Sequence, residues 1–321
     1  MWKFFAAKSD RLDRIVHGYR APGSEWLSAN SRDWLIEHGF VRVDEKRLVK
    51  SGIKVREGAS IEVHFPGALQ LPLRLATPQS APTVFSSRDY GVFFKEPGIP
   101  TIPLRPWEED SFVHRVVNSL KDKISPETFF FLSAPPSLEG GVLQRLDFFT
   151  SGLVCVAFTR EAKALFRQLF SEKRFSKTYW CLLELSAAYS QRSDSFSIFF
   201  EHREAGKERM RSSVVGAPTA VSLELQVKIL KRKDQWALAE VQTESGARHV
   251  VRSGLSAIGA PLWNDEVYGQ KSDLPGHFQL HARTLQLLAP EKIPDFPAPL
   301  IAPPPDSFLE SQCLLGLGSA E

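Results

Sequence analysis

Residues 144–153 place an arginine and a carboxylate together at a tight turn between two apolar segments. The run reads Gln-Arg-Leu-Asp-Phe-Phe-Thr-Ser-Gly-Leu, with the arginine at position 145 and the carboxylate at position 147. A carboxylate held beside a cation could act on a substrate, but Asp before Thr-Ser-Gly is also a common turn or helix-cap sequence. The run therefore indicates either an active-site loop around Asp147 or a structural turn.

Three blocks further along the chain carry polar side chains that could complete a site. The first contains Lys177 and Tyr179, and the second, at residues 246–252, contains Arg248, His249 and Arg252. The third begins with Gly-Ala-Pro-Leu at residue 259 and ends with Asp-Glu-Val-Tyr-Gly at residue 269. Taken singly, a tyrosine in an apolar strand is usually part of the core, and a helical arginine usually lies on the surface.

The sequence offers no pattern typical of a metal site or a bound cofactor. His249, His277 and His281 lack the spacing that would complete one coordination shell. The three cysteines are widely separated, which argues against both a zinc site and a disulfide framework. The glycine spacing fits no phosphate-binding loop, so we expect neither a metal nor a cofactor.

Length and charge limit the class of protein. A chain of 321 residues, 43% of them hydrophobic, can bury a large core and favours one main domain with a smaller module. The net charge of +3 means that nucleic-acid binding would depend on local clusters of the 40 Lys and Arg residues. The first residues do not resemble a signal peptide and no apolar stretch is long enough to span a membrane, so we expect a cytoplasmic protein.

Residues 1–66 have the pattern of a small α/β module. Apolar residues recur at helical spacing between residues 12 and 16, and Ser28 or Asn30 could cap a second helix that ends at Gly39. Apolar residues then alternate with polar ones on both sides of the sequence Asp-Glu-Lys at 44–46, which predicts short strands joined by a turn. Residues 67–82 contain several prolines without sustained periodicity and are predicted to form a linker.

Residues 83–290 combine helical and strand patterns in the way that is typical of an α+β domain. Strands are predicted at 91–95, 153–158, 179–185, 221–230 and 236–243, and helices at 111–120, 161–170 and 250–258. This arrangement predicts a large, mainly antiparallel sheet. The prolines between residues 290 and 305 predict an extended, proline-rich C-terminal tail over residues 291–321.

The four polar blocks, in this order, resemble the RluA family of RNA pseudouridine synthases. The family pattern runs His-Arg-Leu-Asp-x-x-Thr-Ser-Gly, then Lys-x-Tyr, then Gly-Arg-x-His-Gln-Ile/Leu-Arg, and the match covers most of the chain after about residue 83. The resemblance implies an isomerase that breaks the bond from ribose C1′ to uracil N1, turns the base and joins C1′ to C5. This reaction needs no metal or redox cofactor.

The resemblance assigns catalytic roles to three residues. Asp147 matches the catalytic aspartate, which would either act on C1′ as positive charge develops there or remove a sugar proton. Arg252 matches the arginine that pairs with it, and we expect this cation to lower the carboxyl pKa; the alternatives are a surface arginine and a phosphate contact. Tyr179 matches the tyrosine that faces the target uracil, where it could stack on the base or join proton transfer.

The same blocks predict RNA contacts. Arg145 matches the arginine that holds RNA around the displaced base, and a structural salt bridge is the alternative. Lys177 and Arg248 could bind phosphates, although Lys177 could equally be a solvated lysine. His249 could touch RNA or form a local hydrogen bond.

The sequence also departs from the family pattern beside the proposed site. Gln144 stands where the family usually has His, Phe148 where a basic residue is frequent, Ala247 where Arg is usual, and Val250 where Gln is common. Phe148 and Phe149 could be base-facing wedges or buried turn aromatics. These differences put the RNA preference in doubt more than the chemistry, whose three residues are retained.

Residues 1–66 resemble the S-four-type RNA-binding domain, which is named after a ribosomal protein and presents basic side chains to structured RNA. The side chains that we expect to contact phosphates are Arg11, Arg14, Arg32, Arg42 and Lys46. Acidic residues are interleaved with them, so a solvated surface is the alternative.

The sequence as a whole predicts a monomeric RNA pseudouridine synthase without an obligate protein partner. Ribosomal RNA is the expected substrate, because the N-terminal module resembles those of family members that act on large-subunit RNA; transfer RNA is the alternative. Two competing functions stay open: a catalytically inactive RNA-binding protein of the same fold, and a hydrolase that uses Asp147 on free nucleosides.

Overall fold

The protein divides into two compact units. The first comprises residues 1–80 and 100–142, and the second comprises residues 81–99 and 143–321. A computed structural model describes residues 2–19, 29–64, 79–103, 110–120, 122–124, 132, 141–187, 189, 195–201, 210–214, 221–297 and 299–318. Within these ranges, no helix has the length and apolar character needed to cross a membrane.

Within residues 2–64 of the first unit, a small antiparallel sheet and two helices share one apolar core. The elements of this unit are β1 (Trp2–Phe5), β2 (Asp10–Arg11), α1 (Leu12–Gly18), α2 (Ala29–Glu37), β3 (Val41–Val43), β4 (Lys46–Leu48), β5 (Lys54–Val55), β6 (Ser60–Val63) and α3 (Phe112–Leu120). Four strands are ordered β1-β6-β3-β4, and β2 pairs with β5. Leu12 and Val16 of α1 pack with Leu35 and Ile36 of α2 against the sheet.

The turns of this unit lie where the sequence predicts them. Gly39 follows α2 with φ of 72°, and its N–H donates to the carbonyl of Ile36 at 2.8 Å, which is a common way to end a helix. Asp44 and Glu45 join β3 to β4 with φ of 46° and 66°, the left-handed conformation of a two-residue hairpin turn. Asn30 lies within α2, whereas Ser28 and residues 67–78 of the predicted linker fall outside the described residues.

Arg32 does not have the surface position predicted for a phosphate contact. Its side chain is buried, and its guanidinium donates to the carbonyl of Val16 and, at 3.0 Å, to that of Tyr19. These carbonyls lie at the C-terminal end of α1, where backbone acceptors lack partners within the helix. Arg32 therefore caps α1, and its burial argues against the phosphate contact that the sequence predicts.

The second unit is built on one large sheet. Its elements are β7 (Thr83–Ser86), β8 (Tyr90–Lys95), β9 (Ser151–Ala157), α4 (Arg160–Ser171), β10 (Phe175–Glu184), β11 (Ser195–Glu201), β12 (Arg211–Ser213), β13 (Val221–Lys233), β14 (Trp236–Thr243), α5 (Val250–Ala257), β15 (Leu280–Leu287), a 3-10 helix (Pro290–Lys292), β16 (Leu300–Ile301) and α6 (Asp306–Leu314). The strand order is β12-β11-β13-β14-β10-β15-β9-β8-β7, with β16 paired to β15. Among these described strands the pairing is antiparallel except between β9 and β15, which confirms the predicted α+β fold.

Alternating side chains explain how this sheet forms its core. Along β13, Leu223, Leu225 and Val227 are buried while the residues between them are exposed, as expected for a strand with one solvated face. These side chains pack with Val251 and Leu255, which lie on the apolar side of α5. The sheet and its apolar packing therefore fix the position of α5.

The parallel contact between β9 and β15 is unusually close. Gly152 has φ of 117°, and a Cβ at this position would overlap the carbonyl of Ala282, so only glycine fits. His281 Nε2 donates to the carbonyl of Ala302 at 3.1 Å, and Nδ1 therefore accepts from the Ser151 hydroxyl at 3.0 Å. Burial lowers the pKa of His281 to about 4, so the ring is neutral at neutral pH. The start of β9 is thereby locked to β15.

The C-terminal segment is not the extended tail that the prolines predict. Residues 300–301 form β16, and α6 begins directly after Pro305. Phe308 and Leu315 are buried in an apolar cluster with Trp263. The prediction is wrong here because the prolines end at Pro305, and a proline just before the first helical turn removes no helical hydrogen bond.

Replacing Phe308 with alanine tests whether this segment is part of the core. We expect Phe308→Ala to lower the free energy of unfolding by about 3 to 5 kcal/mol, because a fully buried ring would leave a cavity. Leu314→Ala on the same helix is the control and should cost less than about 1 kcal/mol, since Leu314 is 46% exposed. Urea denaturation measures both variants, and equal losses would contradict the packing of α6.

Candidate active site

A buried lysine holds the turn that carries Asp147. Lys95 ends β8 and is fully buried, and its Nζ lies 2.8 to 3.2 Å from the backbone carbonyls of Glu96, Asp147, Phe148 and Thr150. A buried ammonium is costly unless it is well hydrogen-bonded, so this set of acceptors strongly favours one conformation of the turn. The hydrogen bonds from Lys95 thus fix the backbone of the turn that carries the Asp147 side chain.

Asp147 and Arg252 meet although 105 residues separate them in sequence. Arg252 Nη1 donates to Asp147 Oδ2 at 2.9 Å, while Nε and Nη2 donate to the two carboxylate oxygens of Asp265 at 2.8 Å each. The side chains of Asp147, Arg252 and Asp265 are 25%, 7% and 0% exposed. Asp147 is therefore the solvent-facing end of a buried carboxylate–guanidinium–carboxylate chain.

The guanidinium remains charged in this setting. Burial alone would lower the pKa of Arg252, but the hydrogen bonds and negative charges of Asp265 and Asp147 outweigh it, so the pKa is raised. The guanidinium carbon also lies 4.3 Å from the ring centroid of Phe278 and 5.3 Å from that of Tyr268. Arg252 is thus held by one bidentate pair of hydrogen bonds to Asp265 and by two aromatic rings as it contacts Asp147.

His249 supports the other oxygen of Asp147. It precedes α5 with φ of 54°, and its Nε2 lies 3.4 Å from Asp147 Oδ1. Its Nδ1 lies 2.9 Å from the hydroxyl of Tyr268, which also accepts the N–H of Met210 at 2.8 Å. Burial is the main cause that lowers the pKa of His249, so the ring is neutral at neutral pH. Of its two predicted roles, the structure supports the local hydrogen bond.

Tyr179 is buried on β10 beside this group. It belongs to the apolar cluster that includes Val250 and Val251 at the start of α5. Burial, and then the nearby negative charge of Asp147, raise the pKa of its hydroxyl, so the phenol stays protonated. The structure therefore brings together all three residues that the sequence predicts to be catalytic.

The predicted RNA contacts of this unit have different environments. Arg145 and Arg248 are exposed and accessible to a ligand. Lys177 is buried, its Nζ donates to the carbonyl of Ser245, and burial lowers its pKa to about 8. A buried, bonded ammonium argues against both the solvated lysine and the phosphate contact that we predict from the sequence.

Phe148 differs from the expected buried turn aromatic, because 46% of it is exposed. Phe149 is partly buried and packs against the apolar cluster that contains Tyr179.

In the first unit, Arg14, Arg42 and Lys46 are exposed, and Arg11 is exposed but paired with Asp13 at 2.7 Å. These four basic residues stay candidates for RNA contact.

Sequence reasoning did not identify Lys95, Asp265 or Tyr268 as site residues. Asp265 and Tyr268 lie in the third polar block, but Asp265 stands between Asn264 and Glu266, and nothing in the sequence distinguishes it from Glu266 as the buried carboxylate. Lys95 ends an apolar strand, and its contacts with backbone carbonyls leave no trace in side-chain patterns. Across the described part of the chain, no group of three His, Cys, Asp or Glu side chains could hold a metal ion.

Comparison with known proteins identifies the family of the chain. The model of the RNA pseudouridylate synthase family matches residues 89–257, just over half of the chain. This match includes Asp147, Tyr179 and Arg252. The protein therefore belongs to this family, whose members are isomerases that act on RNA.

Related sequences carry the same description. An uncharacterized RNA pseudouridine synthase of Chloroflexus aurantiacus is 27% identical over 299 residues, which cover 92% of this chain and 87% of that protein. The uncharacterized RNA pseudouridine synthase YhcT of Bacillus subtilis is 29% identical over 148 residues, which cover 46% of this chain and only 48% of YhcT. The likeness therefore reaches both units in one relative and about half of the chain in the other.

A solved structure shows the same fold at low identity. Human RNA Pseudouridylate Synthase Domain Containing 4 superposes with a TM-score of 0.55 and 19% identity, covering 75% of this chain and 95% of that chain. At this identity the comparison concerns the fold alone.

Neutralising Asp265 tests the buried charge chain. We expect Asp265→Asn to lower the free energy of unfolding by about 3 to 5 kcal/mol, because Arg252 loses two charged hydrogen bonds in a buried place. The neighbouring variant Glu266→Gln makes the same chemical change at a side chain that is 64% exposed, and should cost less than about 0.5 kcal/mol. Urea denaturation compares the two, and similar values would refute the assigned role of Asp265.

Proposed function

We propose that the protein converts uridine to pseudouridine in ribosomal RNA, with Asp147 as the catalytic carboxylate. The observation that carries this proposal is the geometry of Asp147. Its carboxylate is partly exposed and accepts a hydrogen bond from Arg252 at 2.9 Å, while Arg252 also donates to Asp265. The N-terminal module, which resembles those of enzymes acting on large-subunit RNA, favours ribosomal RNA over transfer RNA.

The charge distribution suits a reaction at a sugar carbon. Breaking the bond from C1′ to N1 leaves positive charge on the ribose, and a carboxylate at C1′ stabilises that charge or bonds to the carbon. Arg252 occupies Oδ2 of Asp147, whereas among the described residues the contact of Oδ1 is the longer one of 3.4 Å with His249. Oδ1 is therefore the oxygen that faces the ribose.

Tyr179 and the exposed arginines supply the remaining functions. The ring of Tyr179 stacks on the target uracil, and its phenol stays protonated because burial raises its pKa. Arg145 and Arg248, both exposed, bind the RNA strand around the displaced nucleotide.

Replacing Asp147 with asparagine tests the catalytic assignment. We expect Asp147→Asn to reduce tritium release from RNA labelled at uracil C5 by at least about 1000-fold, because the amide lacks the charge that acts on the sugar. RNA binding should change by less than about twofold. The same substitution at the exposed residue Asp89 is the control and should leave the rate unchanged.

Three results would overturn this assignment. Normal turnover by Asp147→Asn would show that another group does the chemistry. Equal background from the wild type and the variant would favour an RNA-binding protein without turnover. Release of free uracil from nucleosides would favour a hydrolase.

Chemical mapping of pseudouridines in cells with and without the protein identifies the substrate. Loss of sites only in transfer RNA would replace ribosomal RNA in the proposal.

We also propose that residues 1–66, within the first unit, form an S-four-type RNA-binding module. Its support is the pair of helices packed on a short hairpin, with Arg42 on β3 and Lys46 on β4 both exposed. Exposed cations on a hairpin can contact phosphates and so position the RNA without reading its sequence.

The salt dependence of RNA binding tests this module. We expect the double variant Arg42→Gln/Lys46→Gln to weaken binding and to reduce the slope of log K against log salt by about 1.5, because two phosphate contacts are lost. The double variant Lys228→Gln/Arg232→Gln removes the same charge from exposed positions of β13. Filter binding across a salt series measures both slopes, and an equal reduction would mean that only the net charge matters.

A further inference from the structure

We propose that Phe148 is a stacking platform for the RNA base that neighbours the target uridine. This inference rests on the proposed function of Asp147 and extends it to how the enzyme positions its substrate. Phe148 follows Asp147 directly in sequence, so the two Cα atoms lie about 3.8 Å apart.

The backbone of Phe148 is fixed, which distinguishes it from an ordinary exposed side chain. Single exposed apolar residues are common and need no explanation. Here the carbonyl of Phe148 accepts from Lys95 Nζ at 3.2 Å and from the N–H of Gly98 at 2.9 Å. The ring is therefore presented from a rigid base while 46% of the residue stays exposed.

A chain of aromatic contacts supports the ring from behind. Phe148 lies edge-to-face on Phe149, with centroids 4.9 Å apart and planes at 88°. Phe149 stacks on His277 at 3.7 Å and contacts Phe278 edge-to-face at 5.9 Å. Phe278 in turn lies under the guanidinium of Arg252 at 4.3 Å. The aromatic contacts thus connect the exposed ring to the cation that holds Asp147.

The reaction creates a need for such a surface. A uridine must leave its stack before a protein can reach C1′, and its neighbour then loses a stacking partner. An aromatic ring can replace that partner on any base, because every base has a flat π face. The side chain of Phe148 carries no charge, so its contact with RNA depends on stacking and is insensitive to salt.

Steady-state kinetics test the proposal. The assay measures tritium release from total RNA that is labelled at uracil C5 and comes from cells that lack the protein. Phe148→Leu should raise KM between about 5-fold and about 100-fold with kcat changed less than about 3-fold, because leucine keeps apolar bulk but cannot stack as a ring does. Phe148→Tyr should behave like the wild type. Leu165→Ala, at an exposed apolar residue of α4, is the control and should leave both constants unchanged.

Ultraviolet cross-linking of the same RNA to the Asp147→Asn protein separates this proposal from the proposed function, because cross-linking needs no turnover. We expect a nucleotide adduct on Phe148 that disappears in the double variant Asp147→Asn/Phe148→Leu. Absence of an adduct on Phe148, or a wild-type KM for Phe148→Leu, would overturn the stacking role. Loss of turnover in the wild type together with an adduct would overturn only the catalytic proposal.

Discussion

The second unit depends on one guanidinium that lies between two carboxylates. Arg252 joins buried Asp265 to partly exposed Asp147, and this sharing leaves the three groups with a net negative charge that faces solvent. Buried ion pairs add stability only when their remaining donors and acceptors are satisfied. Here three of the guanidinium donors bond to carboxylate oxygens, and two rings pack on its faces. Arg252 therefore pairs both with the carboxylate that we assign to catalysis and with the buried carboxylate that orients the guanidinium.

The fold around this pair explains why each carboxylate is held differently. Asp265 lies in a turn whose own N–H groups, those of Val267 and Tyr268, also donate to it, so it is fully enclosed. Asp147 lies on a turn that Lys95 binds through backbone carbonyls, which leaves its side chain directed outward. One carboxylate is satisfied by the protein, and the other retains capacity for a ligand.

Sequence patterns predicted the parts of the structure that depend on periodicity or on spaced polar blocks. The alternation in β13 predicts a strand of the main sheet, and the helical period predicts α5, which carries Arg252. The spaced polar blocks predict Asp147 and Tyr179 as site residues. Side-chain patterns do not show contacts between side chains and backbone. The sequence therefore does not indicate the role of Lys95, and it predicts a surface position for Arg32, which is buried. The sequence does not predict β11, because the alternation of Phe196 and Ile198 with serines is too short to indicate a strand. It does not predict α6 either, because the prolines that precede this helix indicate an extended segment.

The parallel pairing of β9 with β15 has a consequence for how the chain folds. Ser151 and His281, which meet in this pairing, are 130 residues apart, so a long loop must close before the two strands can form hydrogen bonds. Contacts this distant in sequence form slowly, because their entropy cost precedes any gain. Hairpins such as β13–β14 need no such closure and can form early. A chain that has formed only its local hairpins therefore still lacks the pairing that holds the start of β9, next to the turn of Asp147, in place.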